Sequence, residues 1–147
     1  MVQIEARIAS FAGCSIRMAR EGPCSTKEQG SVSAERSVLS VPGSRPELFE
    51  KGLRSEADLV FLDLEDSVAD TAKDDARRAV CRALQELDWR GRPRAVRINP
   101  VDSPHWYRDL VELVVGTSGA VDILIIPKVN SPADVAAVAR LLDTLEA

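Results

Sequence analysis

Long apolar runs, histidine, aromatic residues and any excess of positive charge are scarce or missing in this sequence, and each lack closes off a class of function. No uninterrupted apolar stretch approaches the ~18 residues that a membrane-crossing helix needs, so no membrane partner is expected. The single histidine, His105, excludes a histidine-rich metal centre. A metal here would have to be held by carboxylates, and would therefore be a hard ion such as Mg²⁺. The three cysteines, Cys14, Cys24 and Cys81, have neither metal-binding nor redox spacing. They read as reduced thiols of a cytoplasmic protein. Aromatic residues make up 4% of the chain, so any core must be built from Val, Leu, Ile and Ala. The formal net charge of −4 argues against a general nucleic-acid surface and leaves room only for a local anion site. Arg7, Arg17 and Arg20 punctuate the N-terminus, which lacks the continuous apolar stretch of a secretory signal.

What is present fits one soluble globular domain: 147 residues, 45% of them apolar and 29% charged. The first 34 residues differ from the rest. Residues 1–20 are compatible with one irregular helix, and Glu21-Gly22-Pro23 with the polar stretch 25–33 then breaks all regularity. Residues 1–34 are therefore expected to be an irregular or flexible leader without chemistry.

From residue 35 to 147 the pattern is β/α repeated. A short strand at 37–41 stops at Pro42-Gly43, and Ser44 is a candidate helix N-cap with Pro46 in the first turn. Residues 58–64 are nearly all apolar, as a strand buried on both faces of a parallel sheet requires. A helix over 71–87 follows, with Ala76, Val80, Ala83, Leu84 and Leu87 on one stripe. Strands at 94–98 and 121–126 and helices at 104–115 and from Ser131-Pro132 onward complete four units. Two architectures accommodate them: an open doubly wound sheet, or the first four units of a (β/α)₈ barrel.

In either architecture the functional edge is the carboxyl end of the strands. Those positions read Pro42-Gly43-Ser44-Arg45, Asp63-Leu64-Glu65-Asp66-Ser67, Arg97-Ile98-Asn99-Pro100 and Pro127-Lys128. Acids, arginines and a lysine are thus aimed at one rim. Asp63, inside its strand, would need a partner. Arg97 suits a carboxylate or an acyl carbonyl as a planar fork, or a structural pair with Glu65 or Asp66. Lys128 could neutralise an anion or pair with the same acids. Arg45 and Lys51 could grip phosphates or be ordinary solvated charge. His105 reads as a surface or capping residue and Cys81 as inert packing. The run Lys73-Asp74-Asp75-Ala76-Arg77-Arg78 reads as a solvated helix face with local charge pairs.

The segments Arg36-Ser-Val-Leu-Ser-Val-Pro-Gly-Ser-Arg-Pro46, Leu62-Asp-Leu-Glu-Asp-Ser-Val68, Arg97-Ile-Asn-Pro100 and Pro127-Lys-Val129 resemble, in order and separation, the citrate lyase beta-subunit and malyl-coenzyme A lyase family. The resemblance implies a TIM barrel of which residues 35–147 are the first four β/α units, a truncated barrel. It also implies a Mg²⁺-dependent carbon–carbon lyase that cleaves a citryl-, malyl- or citramalyl-coenzyme A-like thioester, with an acyl-coenzyme A or a small keto or hydroxy acid as ligand. By resemblance, Arg97 binds the substrate carboxylate or acyl oxygen, and Glu65 and Asp66 support the metal indirectly. Arg45 and Lys51 hold coenzyme A phosphates. The family's direct Mg²⁺ ligands correspond to positions beyond Ala147, so none is assigned here. The complete protein would be a homo-oligomer. The alternative is a non-catalytic half-barrel or acyl-coenzyme A-binding fragment. Four open units would leave two unpaired sheet edges, so self-association or marginal stability is expected.

Overall fold

The computed structural model describes residues 6–9 and 35–146. Its strands are β1 (Ala6–Ala9), β2 (Val38–Pro42), β3 (Leu59–Asp63), β4 (Ala95–Arg97) and β5 (Ile123–Ile126). Its helices are α1 (Phe49–Leu53), α2 (Lys73–Glu86), α3 (Trp106–Val114) and α4 (Pro132–Leu145), with 3-10 turns at Pro46–Leu48 and Asp70–Ala72 leading into α1 and α2. The apolar run of β3 is buried at every position, as a strand covered on both faces must be. In α4, Pro132 takes the first turn and the Asp134 carboxylate returns to the Ser131 N–H at 2.9 Å, satisfying a donor that the helix itself leaves unpaired.

β2, β3, β4 and β5 are parallel and lie side by side in sequence order. A doubly wound sheet reverses its order at a switch point and carries helices on both faces. Here the order never reverses. Val41, Val60, Leu62, Val96, Ile98, Leu124 and Ile126 form one core with buried residues from all four helices: Phe49 and Leu53, Val80 and Leu84, Leu110 and Leu113, Val138 and Leu142. The alternate residues Leu59, Phe61, Ala95 and Ile125 form a separate buried cluster on the opposite face. Sequential strands with their helices gathered on one side are the arrangement of a (β/α) barrel arc.

Three expectations change. Residues 6–9 form a strand where an irregular helix was expected. It pairs antiparallel with β5, Arg7 opposite Ile125 and Ile8 opposite Leu124, so the β5 edge is not open among the described residues. The rest of the proposed leader lies outside the described residues. The 3-10 turn that leads into α1 is capped by Arg45 rather than Ser44, and the Arg45 side chain makes no capping bond. Finally, the 73–78 run is not wholly solvated: Asp74–Arg77 and Asp75–Arg78 do pair locally, but Lys73 and Arg77 are buried. Half-buried Cys81 donates to the Glu112 carbonyl, and burial pushes its thiol up to about 11, in keeping with an inert role.

Gly43, read as a strand stop, is also a point of close approach. Its N–H donates to the Asp63 carbonyl at 2.7 Å, and a Cβ added there would lie 2.7 Å from that same oxygen and 3.1 Å from Leu64 and Val80 side-chain atoms. Gly43→Ala should therefore lower stability to urea by about 1–3 kcal/mol, the range for forcing atoms into a packed site. An unchanged midpoint would show that β2 and β3 are not held this closely.

Candidate functional site

The site begins with register. Asp63 closes β3 and Arg97 closes β4, and the two are direct neighbours across the parallel ladder. Alternation along each strand puts both on the face of Phe61 and Ala95, away from the helices. Arg97 Nε donates to Asp63 Oδ1 at 2.8 Å and Nη2 donates to Oδ2 at 2.9 Å, a two-pronged pair. The guanidinium lies over the Phe61 ring, 5.3 Å from its centroid.

Asp63 is fully buried, and its oxygens also accept from the Glu65 N–H at 2.8 Å, the Ser67 N–H at 3.2 Å and the Ser67 hydroxyl. Burial pushes its pKa up, but the bonds from Arg97, Ser67 and Glu65 outweigh it and hold the carboxyl below the usual aspartate range. One carboxylate thus both grips Arg97 and shapes the turn that presents Glu65.

Glu65 is buried and faces cations from both sides: Lys128 Nζ 2.6 Å from Oε1 and Arg97 Nη1 3.3 Å from Oε2. Among the described residues neither Glu65 oxygen is reached at hydrogen-bonding angles, so these contacts are ion pairs by distance alone. Lys128 also donates to Asp66 at 2.9 Å, which lowers the Asp66 pKa, while Glu65 and Asp66 raise that of Lys128. Lys128 has φ +50, an unusual backbone for a residue with a side chain. That conformation occurs where β5 ends, at the residue whose ammonium bridges the two acids.

The structure therefore unites Asp63, Glu65, Asp66, Arg97 and Lys128. Arg97 pairs with Glu65, as its structural reading allowed, and more closely with Asp63. Lys128 pairs with the acids. Arg45 and Lys51 are not joined to this cluster. Arg45 is exposed and pairs with Glu47, and Lys51 is exposed on α1. Arg45 nonetheless follows β2 by three residues, at the same strand-end rim. His105 is the N-cap of α3 but its side chain makes no capping bond.

Residues 36–147 match the HpcH/HpaI aldolase/citrate lyase family. The chain belongs to that family. It is 46% identical over 122 residues to an L-malyl-CoA/beta-methylmalyl-CoA lyase of Rhodobacter capsulatus, covering 83% of this chain and 38% of that enzyme. It is 42% identical over 107 residues to a (3S)-malyl-CoA thioesterase of Cereibacter sphaeroides, covering 73% of this chain and 36% of the relative. Among solved structures it resembles the CitE protein of Mycobacterium tuberculosis in complex with magnesium, acetoacetate and coenzyme A, at 37% identity and a TM-score of 0.58, over 72% of this chain and 37% of that one. A second CitE structure, with magnesium and pyruvate, matches at 36% identity and a TM-score of 0.58, over 73% of this chain and 42% of that one. The chain thus spans well under half the length of the relatives it matches. The relatives it matches include lyases, and its four parallel units carry part of the fold they share.

Magnesium occurs in both CitE structures. Among the described residues of this chain, no group of three or more Asp, Glu, His or Cys side chains converges to hold a metal ion. Asp63, Glu65 and Asp66 are each engaged by Arg97 or Lys128. The described residues thus do not fit magnesium as direct ligands. No helix among them is long and apolar enough to cross a membrane.

The depressed Asp63 pKa carries a sign for stability. A carboxyl lowered in the folded state contributes stability that is present above its unfolded pKa and lost as pH falls through the folded one. The wild-type chain should lose stability on acidification through the ordinary aspartate range and below it. Asp63→Asn should cost about 3 kcal/mol at neutral pH, the scale for breaking a buried pair, and should show a flatter acid limb in urea titrations. Parallel limbs would mean that Asp63 is not held ionised by Arg97.

Proposed function

We propose that this chain supplies the acyl-binding rim of a carbon–carbon lyase acting on 3-hydroxyacyl-coenzyme A thioesters of the citryl, malyl or citramalyl type. The observation that carries the reading is the placement of Arg97. Asp63 takes one edge of its guanidinium in two short bonds, which fixes the plane, while the Nη1 side meets Glu65 at the longer distance of 3.3 Å. A substrate carboxylate or acyl oxygen would replace that longer contact, and Arg97 would receive it already oriented.

In the cleavage, the bond between the α and β carbons breaks as the β-hydroxyl loses its proton. The electron pair passes to the thioester side as an enolate, which is protonated to the shorter acyl thioester, and the other product is an α-keto acid. Arg97 would stabilise negative charge that develops on the bound oxygen. Glu65 and Asp66, held by Lys128, would support a bound cation indirectly rather than ligate it. Arg45, with Lys51, is the proposed contact for coenzyme A phosphates, because Arg45 is exposed at the same rim. A second reading, an acyl-coenzyme A-binding segment without catalysis, is favoured by one observation: the rim acids are already balanced by the chain's own cations.

The discriminating experiment grafts residues 36–147 in place of the matching segment of the Rhodobacter capsulatus enzyme. With malyl-coenzyme A and Mg²⁺ the graft should release glyoxylate and acetyl-coenzyme A, and Arg97→Gln within it should lower kcat/KM by about 10²–10³-fold, the scale for removing a donor from a developing oxyanion. A folded graft without turnover would contradict the lyase reading. Release of malate and free coenzyme A would instead indicate thioester hydrolysis. The 147-residue chain alone should show no turnover, since its described residues hold no direct metal-ligand set.

A further inference from the structure

Two buried cations of α2 take no part in the rim itself. Lys73 and Arg77 are one helical turn apart, on one face, and both are buried. Lys73 Nζ donates to the carbonyl oxygens of Leu64 and Glu65, each at 2.7 Å. Arg77 Nε donates to Asp109 Oδ1 at 2.7 Å. The other Asp109 oxygen accepts from the Asn99 backbone N–H at 2.8 Å and from its side-chain Nδ2 at 2.7 Å. Arg77 Nη1 is shared between Asp74 and Glu112, and its buried Nη2 has no hydrogen-bond partner among the described residues.

Buried ionic groups of this kind are weak sources of stability, because taking the charges out of water offsets most of their attraction. Their endpoints are more informative. Lys73 terminates on Glu65 itself and on its neighbour Leu64. The Arg77–Asp109 pair terminates on Asn99, two residues beyond Arg97. The two strand ends are further tied by the Leu64 N–H, which donates to the Arg97 carbonyl at 2.9 Å. One helix thus clamps both segments that present the rim, through side chains that never reach it.

We propose that Lys73 and the Arg77–Asp109 pair are positioning residues, setting the Glu65 carboxylate and the Arg97 guanidinium relative to each other by clamping the strand ends that carry them. The proposal deepens the functional reading above and rests on it only for its catalytic consequence. A rim displaced by about 1 Å would lose on the order of 10²-fold in rate.

The test observes the Arg97 Nε–H by NMR in the full 147-residue chain. Lys73→Met and Asp109→Asn should each preserve the far-ultraviolet circular dichroism of the fold and speed exchange of the Arg97 Nε–H by about tenfold, the equivalent of one lost hydrogen bond. Lys73→Arg, which keeps a cationic donor, should restore the wild-type rate. A merely structural role would lower the melting temperature and leave the Arg97 signal unmoved below the transition. An unchanged signal and exchange rate in either folded variant overturns the proposal. Should both fail to fold, Asn99→Ala, which removes a single side-chain bond to Asp109, gives the same reading: a shifted Arg97 signal supports the clamp and an unmoved one overturns it. An inactive graft with a shifted signal would sink the lyase reading alone, and an active graft with an unmoved signal would sink the clamp alone.

Discussion

The Asp63–Arg97 pair is the interaction on which the rest of the rim depends. Each residue ends its strand, and the register of β3 and β4 places them opposite one another. A buried aspartate without a partner would cost several kcal/mol or take up a proton. Here Arg97, Ser67 and the Glu65 N–H satisfy it. Because those bonds also set the turn after β3, Glu65 is presented to Lys128 and Arg97 as a consequence of the pair. Three acids and two cations reach near-balance within one cluster, in a chain whose overall charge is −4.

The fold supplies this pair with its setting. Parallel strands in sequence order bring every strand's carboxyl end to one rim, and the helices gathered on one face leave the other face to the alternate residues Leu59, Phe61 and Ala95, with Asp63 and Arg97 at its top. Phe61, one alternation below Asp63 on β3, supports the Arg97 guanidinium from underneath. The same period of two that buries an apolar column therefore ends it in an ion pair. From the helix side, α2 reaches both strand ends through Lys73 and Arg77. The relatives of this family extend well beyond the length of this chain.

Much of this was legible in the sequence because it depends on local pattern. The apolar run of β3, the stripe of α2 and the Ser131-Pro132 start of α4 each carry their own periodicity or capping signal. Polar residues directly after such runs then marked the rim, including Asp63 and its need for a partner. What was missed depends on partners far along the chain. Arg77 sits among acids and looks solvated at helical spacing, but its buried partner Asp109 is 32 residues away. Lys73 binds backbone carbonyls, which leave no trace in side-chain pattern. The four residues of β1 are too few to show an alternation, and their strand conformation comes from pairing with β5. Lys128 could be read as pairing with the acids, while nothing in its residue type announces its positive φ.

The most direct measurement of the central claim is a double-mutant cycle on Asp63 and Arg97. Urea denaturation of the wild type, Asp63→Ala, Arg97→Met and the double variant at neutral pH gives their coupling. If the pair organises the rim, removing one partner should leave the other charge buried and uncompensated, and the double variant should be more stable than the sum of the single losses implies. The expected coupling is about 2 kcal/mol or more, within the range for residues sharing one ionic network. A coupling below about 0.5 kcal/mol, the level seen for independent sites, would contradict the claim that these two residues hold the site together.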